Sequence, residues 1–455
     1  MRHLIQRQRD FFLSQETKEI SFRKEFLKKL QGEIIAKEEA ICDALYRDFK
    51  KPKFESLATE TQFVLAELKN ALKKIDSWAS PKRVASTWMN WPSSDYIYKE
   101  PYGTVLIIAP WNYPFQLAIA PLIGAIAAGN TAVIKPSEIT PNTSQIIVEI
   151  IQSVFPENYV TVIEGGVTVS QELLSEKWDY IFFTGSTKVG KIVYESAAKH
   201  LTPVTLELGG KNPTIVDETA TIAVAANRIV WGKFLNAGQT CIAPDYILVH
   251  GSVKNELIEQ LKKAITKFYG SNVYKSSDFA RTVSKNHFEG LKEMLEGETI
   301  LFGGQTNAFD NYIAPTLVDE PSITSKLMEG EIFGPILPII AYKNEADIHR
   351  YLMNYGKPLA TYIFSTNKAF QEKILTNYSF GSGAINDTVI QITNKQIPFG
   401  GVGSSGIGAY HGKTSFDLFS HAKGIIKKGN WLDIPLRYPP YRLPIKYVKM
   451  IKKLF

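Results

Sequence analysis

The sequence predicts an α/β protein built on parallel sheets, and three observations carry that prediction. The chain has 455 residues, 44% apolar and 21% charged, the balance of a globular protein long enough for two or three domains. Short apolar runs alternate with segments of helical spacing, as in a parallel sheet with crossover helices. Loops at the carboxyl ends of these runs carry polar or glycine-rich sequences, where the ligands of such sheets bind.

Taken in order, the first 80 residues read as helices, with Phe26, Leu27, Leu30, Ile34 and Ile35 at helical spacing, and show no motif that carries chemistry. The aromatic, β-prone stretch from about residue 85 to 103 predicts an exposed hairpin or arm. Strands are then expected at Thr104–Ala109, Thr131–Ile134, Tyr159–Glu164, Asp179–Thr184 and Val204–Leu208, with helices over Thr143–Phe155 and Lys188–Lys199. A second α/β stretch runs from Pro213 to about Ile397, with strands at Val249, Ile339–Ala341 and Tyr362–Phe364. Pro101 to Ile134 contains no charged residue and exceeds a membrane span in length. Pro110, Asn112, Pro114, Gln116, Pro121 and Gly129-Asn130 interrupt it, so it reads as a buried strand and helix.

The net charge is +7. After residue 420 stand nine lysines or arginines against one acid, Asp433, so the rest of the chain is nearly neutral. That distribution excludes a nucleic-acid partner for the body. Two cysteines, Cys42 and Cys241, give no disulfide framework. The N-terminus lacks an apolar segment after its basic residues, so no secretory signal is read and a cytoplasmic location is expected. No metal site is expected.

Gly401-Val-Gly403-Ser-Ser-Gly406 matches a dinucleotide fingerprint but follows a proline-containing stretch with no βαβ unit behind it, so it reads as a loop. His411-Gly-Lys-Thr414 lacks the first glycine of a P-loop. Thr184-Gly185-Ser186-Thr187-Lys188-Val189-Gly190 follows a strand and opens a helix, as an anion site or a plain capped turn. Lys135-Pro-Ser-Glu138 ends a second strand; its lysine and glutamate suit ribose hydroxyls or a solvated loop. Cys241 has polar and glycine neighbours, consistent with an accessible thiol, whereas Cys42 lies on a helix face and reads as core. Glu207, a carboxylate at the end of an apolar strand, is a general-base candidate.

Together, Pro110-Trp-Asn-Tyr-Pro114, Lys135-Pro-Ser-Glu138, Phe183-Thr-Gly-Ser-Thr187, Leu206-Glu-Leu-Gly-Gly210, Gly238-Gln-Thr-Cys241, Glu331-Ile-Phe-Gly-Pro335 and Pro398-Phe-Gly-Gly401 closely resemble the aldehyde dehydrogenase superfamily. The resemblance covers about residues 5 to 440. Thr240 before the cysteine and Ala409–Phe416 resemble its class 3, fatty-aldehyde-type branch. The resemblance implies a Rossmann-type cofactor domain (1–84 and 104–206), an α/β catalytic domain (207–414), a small β bridging arm (85–103 and 415–436) and a basic tail (437–455).

By the same resemblance, Cys241 is the nucleophile that forms a thiohemiacetal with the aldehyde, Asn112 and the Cys241 backbone N–H hold its oxyanion, and Glu207 activates the water that hydrolyses the thioester. A base at Glu207 favours a free acid over acyl transfer to coenzyme A. The cofactor is NAD or NADP: Glu138 opposes a 2′-phosphate and Lys135 attracts one. Pro110, Trp111, Lys135, Glu138, Gly185, Ser186, Val189, Gly190, Leu208, Gly209, Glu331 and Phe333 are its implied contacts. Tyr113, Phe399, Ile392 and Thr393 are read as substrate lining, and the motifs contain no arginine for a carboxylate-bearing substrate. Medium- or long-chain aliphatic or aromatic aldehydes are therefore expected. A homodimer is expected as well. As a helix, residues 442–455 would gather Tyr447, Val448, Ile451, Leu454 and Phe455 opposite lysines, suiting either an anionic membrane surface or a solvated tail. The competing reading for the whole chain is a non-catalytic nucleotide-binding protein on the same fold.

Overall fold

The computed structural model describes residues 1–433, 435–441 and 444–451. The chain divides into two compact units, Met1–Trp78 with Pro101–His421, and Ala79–Glu100 with Ala422–Phe455.

The larger unit holds two main sheets. The first has six strands in the order Gly406–Ile407, Val204–Glu207, Tyr180–Thr184, Thr104–Ile108, Thr131–Lys135 and Val160–Val162. All neighbours are parallel except the first pair, in which Gly406 stands opposite Glu207. The strands expected from the sequence fall within one or two residues of those observed. The crossovers run outward on both sides of Thr104–Ile108, toward Thr131–Lys135 on one side and Tyr180–Thr184 on the other. A crevice therefore opens outside the carboxyl ends of those strands, where the direction of winding reverses. The loops after Ile108 and Thr184 frame it.

The helix Gln116–Ala128, the uncharged stretch of the sequence, is buried along its whole length. It ends at Gly129, whose φ of 101° is left-handed and where a Cβ would lie 2.9 Å from the Arg23 guanidinium. Arg23 reaches in to donate to the Ala127 carbonyl at 3.1 Å, closing a helix end that water cannot reach. Among the described residues no helix is long and apolar enough to cross a membrane. Cys42 is buried on the helix Glu38–Phe49.

The second sheet orders seven strands as Thr299–Phe302, Thr316–Asp319, Ile336–Tyr342, Tyr246–His250, Pro213–Val216, Ala360–Phe364 and Ser382–Ile385. Only Thr299–Phe302 runs antiparallel to its neighbour. Its central strands are buried on both faces, which is why they read as unbroken apolar runs rather than alternating ones.

The smaller unit is a three-stranded sheet of Lys82–Val84, Ser93–Pro101 and Ser420–Lys428. Within it Trp91 and Trp431 meet edge to face at 6.1 Å, and the Lys427 ammonium lies 4.8 Å from the Tyr96 ring. The helix Ile445–Ile451 occupies part of the basic tail, with Ile445, Tyr447 and Val448 exposed. The proposed apolar face at Leu454 and Phe455 lies outside the described residues.

Candidate active site

A cavity of about 460 Å³ opens at the carboxyl ends of the first sheet. Pro110, Trp111, Asn112 and Tyr113 line it from the loop after Ile108, Gly185 and Ser186 from the loop after Thr184, and Glu207, Leu208 and Gly209 from the next strand end. Cys241, Glu331, Phe333, Ile392, Thr393 and Phe399 enter from the remainder of the larger unit. Lys135, Glu138, Val189 and Gly190 are not in this lining. Lys135 ends the adjacent strand, its ammonium 2.5 Å from Glu138, and Val189 and Gly190 lie in the first turn of the helix Thr187–Ala198.

The segment before Cys241 is built from three consecutive left-handed residues, Asn236, Ala237 and Gly238 (φ 56°, 53° and 75°). Two of them carry a Cβ, at a cost of roughly 1–2 kcal/mol each, so the turn persists only because its surroundings fix it. Glu55 accepts the Asn236 N–H at 2.9 Å. Asn236 Nδ2 donates to the carbonyls of Asn112 (2.9 Å) and Gln239 (3.1 Å). Gln239 is a fully used buried amide, donating to the carbonyls of Asn236 and Arg281 at 3.0 Å and accepting from the Val283 N–H at 2.9 Å.

Carbonyl contacts then aim the amides of the turn. The Thr240 carbonyl accepts from the Ala243 N–H at 2.9 Å, and the Cys241 carbonyl accepts from Asn212 Nδ2 at 2.8 Å. In a trans peptide the N–H points opposite its carbonyl, so the N–H groups of Cys241 and Ile242 turn the other way. Both interact with the Cys241 thiol. Asn112, buried, spends one amide hydrogen on the Gln239 carbonyl at 3.2 Å and has the second to give. The Tyr113 hydroxyl meets Thr240 Oγ1 at 2.6 Å, and the Lys51 ammonium sits 3.9 Å from the Tyr113 ring while pairing with Glu60 at 2.7 Å.

Burial dominates the charge states. Cys241 is half-buried, and desolvation, followed by the negative charges of Glu331 and Glu207, raises its thiol pKa. Glu207 is 3% exposed, neither oxygen has a hydrogen-bond partner among the described residues, and burial holds its pKa well above the carboxylate range. Glu331 is pushed up to about 8 by burial and then by Asp245, against the Gly210 N–H, Lys211 and Lys233. Gly209 is required beside it, because a Cβ there would stand 1.9 Å from Glu331 Oε2. Phe333 is held at a φ of 52°, with its carbonyl accepting from His287 Nε2 at 2.9 Å. The Trp111 ring lies 5.3 Å from both Phe333 and His287.

These residues fit a dinucleotide. Ser186 caps the helix Thr187–Ala198 by accepting the Val189 N–H at 3.4 Å, leaving the amides of Thr187 and Lys188 at its open, electropositive end. The Lys135–Glu138 pair stands at the neighbouring strand end, and Glu331 faces the gap that Gly209 leaves.

The aldehyde dehydrogenase family matches residues 2–425 of the chain. The chain belongs to that family. It is 51% identical to the 4,4'-diaponeurosporen-aldehyde dehydrogenase of Staphylococcus aureus over 97% of each protein. It is 41% identical to the dimeric NADP-preferring aldehyde dehydrogenase of Canis lupus familiaris, over 96% of this chain and 97% of the relative. A solved structure of the substrate-bound state of Staphylococcus aureus AldH superposes with a TM-score of 0.97 at 49% identity, covering 99% of both chains. The protein is thus an aldehyde dehydrogenase, an oxidoreductase of a family that uses NAD or NADP.

Several site residues of this aldehyde dehydrogenase carry no motif of their own. The first 80 residues, expected to be without chemistry, supply Ala58, Thr59 and Phe63 to the cavity and Glu55 to the turn before Cys241. Ala58 and Thr59 lie in a π-helical turn, Leu57–Thr61, of the kind often found at functional sites. His287 and Trp231 also line the cavity. Lys211, 3% exposed, joins Asp245 at 2.8 Å and donates to the Gly330 carbonyl at 2.7 Å, and Asp245 accepts the Ile332 N–H at 3.0 Å, so one buried pair fixes the loop that carries Glu331. The Gly401–Gly406 segment forms a turn that leads into the short edge strand opposite Glu207.

Proposed function

We propose that this aldehyde dehydrogenase oxidises apolar aldehydes, aliphatic of medium or long chain or aromatic, to free carboxylic acids, through Cys241, Asn112 and Glu207. The observation that carries the reading is that these three residues line one cavity with Phe63, Leu117, Trp231, Leu235, Ile390 and Phe399, while no lysine or arginine among the described residues lines it. Such walls favour an apolar chain and give a second carboxylate on the substrate nothing to pair with.

In this reading the Cys241 thiol gives up its proton to solvent water in the cavity, Sγ adds to the aldehyde carbon, and the C=O π electrons move to the oxygen, which becomes an oxyanion. The Asn112 amide and the Cys241 N–H donate to that oxygen, each worth roughly 3–4 kcal/mol at the barrier. The coenzyme, when bound, supplies the acceptor for the hydride lost from the substrate carbon. Glu207 then takes a proton from the water that attacks the resulting thioester, the C–S bond breaks, and the acid leaves with the cysteine restored. Lys135, Glu138, Gly185, Ser186 and Val189 would hold the adenosine ribose and pyrophosphate, with Gly190 closing the helix on Leu208. Glu331 and Phe333 would hold the nicotinamide ribose and ring, against Pro110, Trp111 and Gly209. Tyr113 and Phe399 line the substrate end.

Assay of reduced-coenzyme formation with hexanal, decanal, benzaldehyde and a carboxylate-bearing semialdehyde tests the reading. We expect turnover of the first three above the last; preference for the semialdehyde overturns it. The name of the canine relative, dimeric, and the sheet of the smaller unit support a homodimer. The tail from residue 437, basic with exposed Ile445, Tyr447 and Val448, supports peripheral contact with an anionic membrane from the cytoplasm. Sedimentation with anionic vesicles, with and without residues 442–455, decides that point: equal pelleting discards it.

A further inference from the structure

We infer that Tyr362 is a positioning residue, tying the turn that carries Cys241 to the cavity-lining segment 389–393 so that the length of a bound aldehyde is felt at the nucleophile. The inference rests on the proposed reading that an apolar aldehyde chain occupies this cavity.

Tyr362 lies on the strand Ala360–Phe364 and is fully buried. Its hydroxyl donates to the carbonyl of Ile242, the residue after Cys241, at 2.6 Å. The same oxygen accepts from Gln391 Nε2 at 3.1 Å and faces the backbone N–H of Val389. One buried phenol therefore joins two segments that both line the cavity. The strand serves the turn twice, because Asn212, which holds the Cys241 carbonyl at 2.8 Å, accepts the Ala360 N–H at 2.8 Å. The two peptides that follow the nucleophile thus hang from a single strand.

The other end of the link is under strain. Val389 is β-branched yet sits at a φ of 66°, outside the backbone region such residues adopt without cost. It leads into the short 3₁₀ turn Ile390–Thr393, and Val389, Ile390, Ile392 and Thr393 all line the cavity. An alkyl chain long enough to press on this turn acts on the groups that share the Tyr362 hydroxyl, and so on the Ile242 carbonyl. In this inference a short aldehyde leaves the turn unpressed. Removing the hydroxyl leaves the Ile242 carbonyl, the Val389 N–H and the Gln391 amide without their shared partner, while the ring still fills its place.

The test compares Tyr362→Phe with the unaltered enzyme, using kcat and KM for propanal and decanal and the rate of Cys241 alkylation by iodoacetamide. We expect kcat to fall by about ten- to a hundredfold, alkylation to change, and the decanal-to-propanal ratio of kcat to move toward one. A folded variant with unaltered kcat, ratio and alkylation overturns the inference, as does one that only melts at a lower temperature. Should Tyr362→Phe fail to fold, Gln391→Met keeps the Tyr362–Ile242 bond and removes the side-chain half of the link, leaving only the Val389 N–H on the far side: its propanal kcat should hold while the decanal-to-propanal ratio shifts, and an unmoved ratio overturns the inference. Failure of the aldehyde reading is separately visible, because the unaltered enzyme would then oxidise neither aldehyde while alkylation still reports on Tyr362.

Discussion

Asn212 donates its side-chain amide to the carbonyl oxygens of Cys241 and Ala243, at 2.8 and 3.1 Å. Its own oxygen accepts the Ala360 N–H, so every strong hydrogen-bonding site on the amide that can grip the turn is in use. Replacing it by alanine leaves two buried carbonyls and an N–H unpaired, a loss of about 1–3 kcal/mol of stability. The same change frees the peptide that aims the Ile242 N–H at the thiol, and we expect kcat to drop by about a hundredfold with coenzyme affinity retained. Denaturant titration, coenzyme binding and steady-state kinetics on Asn212→Ala check this; an unaltered kcat removes the role given to the carbonyl grip.

Burial disfavours the ionised forms of both Glu207 and Cys241, and the Glu331 and Glu207 charges oppose the thiolate further. A carboxyl whose pKa is raised loses base function as pH falls through that raised value, so hydrolysis should slow on the acid side and rise as the pH is made more alkaline. Glu207→Gln should keep the first burst of reduced coenzyme, lower the steady-state rate by about a hundredfold, and flatten that part of the profile. Cys241→Ala should abolish both phases. A burst lost in Glu207→Gln would assign Glu207 to the first half of the reaction instead.

Lys135 and Glu138 form a tight pair, the lysine almost wholly buried and the glutamate 42% exposed. The carboxylate opposes a ribose 2′-phosphate and occupies the ammonium that could receive one. Glu138→Gln lifts both obstacles, and kcat/KM for NADP relative to NAD should rise by about tenfold, or about 1.4 kcal/mol. Lys135→Met should weaken both coenzymes. A coenzyme ratio that stays put in Glu138→Gln would place the ribose elsewhere.

Much of the fold was legible because its cause is local. Apolar runs such as Thr104–Ile108 and Tyr180–Thr184 sit in strands buried on both faces, and helical spacing marks Pro141–Val154. Cys241 and Glu207 stood out in the sequence because each departs from its neighbours in kind. Glu55, His287 and Asn212 do not, since their contacts with the site cross 181, 46 and 29 residues of sequence. A glutamate on an N-terminal helix reads as solvated until the fold buries it. The pairing of Gly406 with Glu207 is hidden in the same way, for it joins a glycine-rich turn to the edge of a sheet completed two hundred residues earlier.

Glu55 yields a stability test of its own. Its carboxyl is pushed up to about 7 from 4.5, first by burial and then by Asp278, against Lys51 and the Asn236 N–H. Lys51 is already paired with Glu60 at 2.7 Å, so Glu55 has only a share of that cation. Between these two pH values the folded state binds more protons than the unfolded one, so stability conferred at Glu55 is fully present at low pH and lost as pH rises. The shift corresponds to about 3 kcal/mol. Glu55→Gln keeps an oxygen for the Asn236 N–H but cannot ionise. Relative to this variant, the unaltered enzyme should therefore lose about 3 kcal/mol between about pH 4 and 8, measured by denaturant unfolding, while the activity of the variant stays within a few-fold. A constant difference across that range would mean that Glu55 remains ionised in the folded protein and that Lys51 serves both carboxylates.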